Sequence, residues 1–226
     1  MKVLNFLFPY RFEMLLVSQL AVLFGSLVVP MYWFENFISP VLLLCNLLAG
    51  VVLASKKKRL VRFLCLLVVL NSAIFLVSLL GISWLLEVQA VRLFSYFIFF
   101  GFITFETIDQ VAKARQVEKN VIMGLISGYL ALGLLSFFLF YVIEYVEPNS
   151  YSNLVFDGSA ERTTEKLLYF SYVTLLTIGY GEIVPVSQLA QKAAILVALI
   201  GQFYMVILTA IVVGKYISQF QPDTQD

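Results

Sequence analysis

Histidine is absent from this 226-residue chain, and cysteine occurs only at Cys45 and Cys65. Without a cluster of imidazoles and thiolates no Cys/His metal centre can be assembled, and two cysteines inside apolar stretches give no disulfide framework. Both thiols are expected to be free and buried. Charge is scarce as well: Asp, Glu, Lys and Arg make up 13% of residues, against about a quarter in soluble domains. A net charge of +1, with no basic stripe interleaved with aromatics, gives no footing for a nucleic-acid partner. No ionisable or nucleophilic group stands in the middle of an apolar stretch in the way an enzyme or a transporter needs, so neither catalysis nor a bound cofactor is expected. Asn-x-Ser/Thr sequons are missing too. No small-residue cleavage site follows the first apolar run, whose length of about 20 residues already exceeds a signal-peptide core.

Apolar residues fill the space these absences leave. They make up 61% of the chain, with a mean hydropathy of +0.93. Six segments are long and apolar enough to read as spans: 14–34, 38–54, 63–86, 91–108, 121–143 and 187–217. The fold class is therefore an all-α membrane protein of six transmembrane helices joined by short links. A polar hairpin at Glu35-Asn36 separates the first two, and Pro40 suits the opening turn of the second. Lys2, Arg11, Lys56, Lys57, Lys58, Arg59, Arg62, Lys113, Arg115, Lys119 and Lys215 fall on one side, against Arg92, Arg162, Lys166 and Lys192 on the other. That bias places both termini in the cytoplasm and the loop between the last two spans outside.

Inside that outer loop lies the run from Thr174 to Gly181, which ends in Thr177-Ile178-Gly179-Tyr180-Gly181. Successive carbonyls face the same way only if alternate residues visit φ > 0, which side-chain-bearing residues resist and glycine does not. Gly179 and Gly181 have the required spacing. Such a loop replaces the water shell of an ion with carbonyl oxygens, as TVGYG does in potassium filters. The preceding stretch, 167–176, is an apolar helix of about ten residues, too short to cross about 30 Å of hydrocarbon, so it reads as re-entrant. Pro185 ends the return. A Gly-Tyr-Gly turn between two ordinary helices does not account for this short helix.

These residues resemble the tetrameric potassium channel superfamily, over its pore domain at roughly 121–217. The likeness is most specific in Leu168 to Pro185, LYFSYVTLLTIGYGEIVP, with the aromatic pair Tyr169-Phe170. The resemblance implies that Thr177, Ile178, Gly179 and Tyr180 hold K⁺ through their carbonyls, that Gly181 closes the filter, and that Thr174 and Glu182 support it. It implies a homotetramer in the plasma membrane, or the inner membrane of a bacterial cell, with K⁺ and the lipid bilayer as partners. Two positions depart from the family pattern: Glu182 stands where Asp is usual, and Leu176 where a second Thr is common. A nonselective cation channel of the same fold is the alternative function, and a transporter a more distant one.

Four helices before a two-helix pore is also the layout of voltage-gated channels. A sensor needs several arginines along a helix that crosses the field. The fourth segment has no charge between Leu93 and Phe105, and Arg92 stands alone at its outer end. Residues 1–120 are accordingly read as a sensor-like membrane domain without a working sensor, and 121–226 as the pore domain. Asn46 and Asn71 are expected to hydrogen-bond between helices. Lys56, Arg59 and Arg62 are placed in a basic loop facing lipid headgroups. Asp109 to Asn120 reads as an interfacial linker helix, either a lever to the pore or a solvated turn, and Glu106 is expected to pair with Lys113 or Arg115.

In the last segment Gly201 falls 20 residues after Gly181, where the family carries a hinge glycine. Gly201, Met205, Thr209, Val213 and Ile217 recur at i+4 and make one stripe, read as pore wall, with lipid or helix packing as the alternative. Val213 and Ile217 at the inner end form a hydrophobic constriction in that reading. The outer loop is acidic, with Glu144, Glu147, Asp157, Glu161 and Glu165 against Arg162 and Lys166, and concentrates cations at a fourfold mouth. Turns are expected at 148–150 and 157–159. With nine residues after 217, no soluble ligand-binding domain is expected on this polypeptide.

Overall fold

The computed structural model describes residues 6–79, 86–114, 116–154 and 160–219. Its architecture is helical, with one small β-ribbon. Helix α1 (Arg11–Phe24) is extended at both ends by 3₁₀ turns, Phe8–Tyr10 and Gly25–Leu27. Helix α2 (Ser39–Leu53) continues a π turn (Phe34–Ile38) and a short helical piece (Met31–Trp33). After it come α3 (Lys58–Leu79), α4 (Leu86–Ala112) and α5 (Lys119–Val146). Strand β1 (Tyr151–Ser152), α6 (Ala160–Leu175) and strand β2 (Val184–Pro185) precede the last helical run. That run is α7 (Gln188–Phe203), a π turn (Tyr204–Leu208) and α8 (Thr209–Ser218).

Among the described residues, five helices are long and apolar enough to cross a membrane: Phe8–Leu27, Lys58–Ser78, Val88–Ala112, Lys119–Val146 and Gln188–Ser218. The second expected span falls short. Its α-helical part has 15 residues, about 22 Å at 1.5 Å per residue, against about 30 Å of hydrocarbon. The Glu35-Asn36 hairpin is also absent, since both residues lie in the π turn and the helical path continues unbroken from Met31 to Leu53. The break falls instead before Met31, at Pro30, because proline excludes the α conformation from the residue in front of it. The first span accordingly shifts towards the N-terminus relative to 14–34. Pro40 does sit in the opening turn of α2, where its missing N–H costs nothing.

Several expectations about the first four helices meet definite outcomes. Asn46 Nδ2 donates to Ser18 Oγ of α1 at 2.9 Å, and Asn71 Nδ2 donates to Ser95 Oγ of α4 at 2.9 Å, so both asparagines tie helices together. Glu106 is buried, but its partner is Lys57 at 2.6 Å, while Lys113 pairs with Asp109 at 2.6 Å. The hydrogen bond to Glu106 holds the Lys57 ammonium above its ordinary range. No separate linker helix is present among the described residues: α4 runs on to Ala112 and α5 starts at Lys119. Arg115 lies outside the described residues. Arg59 and Arg62 belong to α3 rather than to a loop. Cys45 and Cys65 are free but exposed, since each stands on the side of its helix that no other helix covers.

The core sits where α4 and α1 pack along α5. Tyr96 and Phe100 of α4 both stack on Phe138 of α5, with centroids 5.1 and 5.3 Å apart. Phe99, Phe100, Ile103, Leu134 and Phe140 are fully buried. Large apolar residues are nonetheless exposed along nearly every helix, among them Val17, Leu66, Val69, Phe105 and Val206. On a soluble domain such a surface would be an aggregation hazard. Around helices of spanning length it is the face that lipid covers.

Candidate functional site

Helix α6 is longer than the sequence suggests, at 16 residues rather than about ten. Its hydrogen bonding unwinds stepwise at the C-terminus: Leu176 N donates to Tyr172 O, Thr177 N to Thr174 O and Ile178 N to Val173 O. The chain then turns back through the TIGYG loop. Thr177, Gly179 and Gly181 have φ of +56°, +57° and +93°. Every second residue is thus left-handed, the alternation that brings carbonyls of successive peptides onto one side. Nothing lies within 4 Å of where a Cβ would stand on Gly179 or Gly181. Glycine is required there by backbone angle alone. Thr177 has no such freedom, and a β-branched residue at positive φ stores about 1–3 kcal/mol of strain.

Side chains on three elements hold the loop in this shape. Gln202 Nε2 on α7 donates to Thr177 Oγ1 at 3.1 Å. Tyr129 Oη on α5 donates to Leu175 O at 3.3 Å, and Tyr172 Oη on α6 donates to Leu130 O at 2.7 Å. On the return, Asn153 Nδ2 donates to Glu182 O at 2.7 Å, and the Tyr169 hydroxyl is hydrogen-bonded to the Glu182 carboxylate. The antiparallel ribbon, Tyr151 opposite Pro185 and Ser152 opposite Val184, closes the base of the loop. Buried Glu144 accepts from the N–H groups of Asn149 and Ser150 at 2.9 and 3.0 Å, which forms the turn expected at 148–150. Glu144 therefore shapes the turret instead of facing solvent. Asp157 and the 157–159 turn lie outside the described residues.

The i+4 stripe of the inner helix divides. Gly201 is buried, and a Cβ on it would stand 2.5 Å from Leu175 O, so this glycine lets α7 touch the end of α6. Met205 and Thr209 line a pocket with Leu125, Ile126 and Tyr129 of the chain's own α5. The π turn at Tyr204–Leu208 inserts an extra residue into the helical repeat and rotates α8 relative to α7, a shift that i+4 counting cannot register. Val213 and Ile217 are about half exposed. Gln202 was not legible as a functional residue, although it is the one amide in the apolar run from Ala193 to Leu208. Lys215 Nζ donates to Ala112 O at 2.5 Å and Ala114 O at 2.8 Å. It thereby caps the end of α4, a long-range pairing that local patterning does not reveal.

Comparison with known proteins bears on the same half of the chain. Residues 125–218 match the family model described as ion channel. This segment is similar to ion channel domains. It includes α6, the TIGYG loop and the whole inner helix. A protein of Aeropyrum pernix named voltage-gated potassium channel is 31% identical over 110 residues, which are 49% of this chain and 33% of that protein. The chain thus spans about a third of that relative's length in the alignment. Both likenesses support membership of the potassium channel superfamily. No solved structure matches. Among the described residues no group of His, Cys, Asp and Glu could hold a metal ion through side chains.

Proposed function

We propose that four copies of this chain form a passive potassium channel. In this reading the carbonyls of Thr177, Ile178, Gly179 and Tyr180, with the Thr177 hydroxyl, replace the water around K⁺. The observation that carries the reading is the left-handed alternation at Thr177, Gly179 and Gly181 directly after a helix that ends mid-fold. Ile178 and Tyr180 are 47% and 73% exposed on the single chain, an arrangement suited to a fourfold ring in which neighbouring copies cover the loop. The helical run 31–53 supplies the second of six spans, with both termini cytoplasmic, α6 re-entrant from the outside, and the plasma membrane as the site of action. The test is K⁺ flux in liposomes, with the reversal potential measured in opposed K⁺ and Na⁺ gradients. A reversal near the K⁺ equilibrium potential is expected. One that follows the sum of both cations selects the nonselective alternative, for which Glu182 behind the filter gives the structural motive.

The helix α4 carries no charge from Leu93 to Phe105, so open probability is expected to vary little between strongly negative and strongly positive potentials. Each charge crossing the field would contribute about 2.3 kcal/mol per 100 mV. Steep sigmoidal activation would count against the absence of a sensor. The inner constriction is assigned to Val213 and Ile217. Val213→Asn or Ile217→Asn is expected to raise resting K⁺ flux severalfold with K⁺ over Na⁺ preference unchanged, because a polar ring holds water where an apolar one dewets. Parental flux in both variants would move the gate to the filter.

A further inference from the structure

A cavity of about 310 Å³ lies between the first four helices, α5 and the opening turns of α6. Its volume is within the range of small-molecule sites, about 300–1,000 Å³. Its lining is sorted by depth. On each helix the polar member lies towards the end where α4 and α6 begin: Ser26 and Ser78 late on their helices, Arg92 and Glu165 early on theirs. Leu134 and Phe138 of α5 form the apolar depth. An amphiphile lying along the helices meets both kinds of surface.

Arg92 and Glu165 face this one cavity, yet they form no ion pair with each other or with any residue whose side chain is described. Each is only partly exposed. Two opposite charges that share a half-buried space without pairing with each other match a ligand that carries both signs. We propose that the cavity binds a phospholipid with a phosphoethanolamine headgroup, its phosphate on Arg92 and its ammonium on Glu165. A guanidinium fork suits phosphate oxygens, and a carboxylate accepts from a primary ammonium, which has three donors. A choline headgroup has none to give. A purely anionic headgroup satisfies Arg92 and leaves Glu165 facing a like charge. The spanning helices place the cavity within reach of a bilayer, so the ligand is drawn from the surrounding lipid, one chain end resting on Leu134 and Phe138. The headgroup then bridges α4 of the sensor-like half and α6 of the channel domain.

The inference concerns lipid capture and does not depend on which ion is conducted, so its test reads lipid directly. The full-length chain, stripped of lipid in detergent, is offered phosphatidylethanolamine, phosphatidylcholine or phosphatidylglycerol with matched chains, and bound lipid is counted by native mass spectrometry. Retention of the ethanolamine lipid is expected to exceed that of the other two by about tenfold, the effect of one charge-assisted hydrogen bond. Glu165→Gln should bring the ethanolamine and choline lipids to equal retention, and Arg92→Gln should lower retention of every phospholipid. Equal retention of the three lipids on the unaltered chain, a preference for the glycerol lipid, or a Glu165→Gln protein that still discriminates would each overturn the assignment. The comparison of lipids on the unaltered chain stands whether or not either variant folds.

Discussion

Gly179→Ala is expected to abolish K⁺ flux and leave assembly of the chain intact. Gly179 has φ +57° with open space around the position of a Cβ, so alanine meets no clash and pays only in backbone conformation. For a side-chain-bearing residue that cost is about 1–2 kcal/mol in the left-handed region, and in a fourfold ring it is incurred four times. The cheaper course is for the peptide to rotate, which removes a carbonyl from the ion path. The helix packing that holds the chain together, centred on Phe99, Phe100 and Phe140, is untouched. Liposome flux and size-exclusion chromatography with light scattering check both halves. Normal K⁺ flux from the variant would falsify the filter assignment.

Gly201→Val is expected to act differently, through the fold. Here the Cβ would meet Leu175 O at 2.5 Å and Leu175 Cδ1 at 2.8 Å, and a backbone oxygen at the end of α6 cannot swing aside as a side-chain tip can. Overpacking of this kind costs about 1–3 kcal/mol. The inner helix must then move off α6, which also breaks the hydrogen bond from Gln202 to Thr177. A fall of several degrees in unfolding temperature is expected, about 2–4 °C per kcal/mol for a chain of this size, together with lost flux. A variant as stable as the parent but closed to ions would restore Gly201 to the role of a hinge.

The left-handed backbone of the TIGYG loop was legible because it rests on local chemistry. Positive φ at Gly179 and Gly181 follows from what a Cβ forbids, and a glycine in sequence announces it. The same reasoning could not reach Thr177, whose left-handed backbone is imposed on an unfavourable residue by Gln202 and the end of α6. Hydropathy likewise located the long spans, since lipid demands apolar length whatever the neighbours. It misplaced the first by several residues because the break at Pro30 weighs less in a hydrophobicity average than in the backbone.

By itself, then, the sequence determined the class of molecule: apolar helices, a glycine loop after one of them and a fourth apolar segment without charge from Leu93 to Phe105. Those properties belong to residues taken singly or a few apart, and solvent and backbone sterics act on them at that scale. Tertiary structure alone decided which partners meet. Glu106 chose Lys57 over the nearer Lys113, Lys215 reached back to the end of α4, and Gly201 turned towards Leu175. The π turn at Tyr204–Leu208 rotated the lower inner helix away from any regular count. Such choices depend on distances between segments tens to a hundred residues apart, which only the packing of helix against helix fixes.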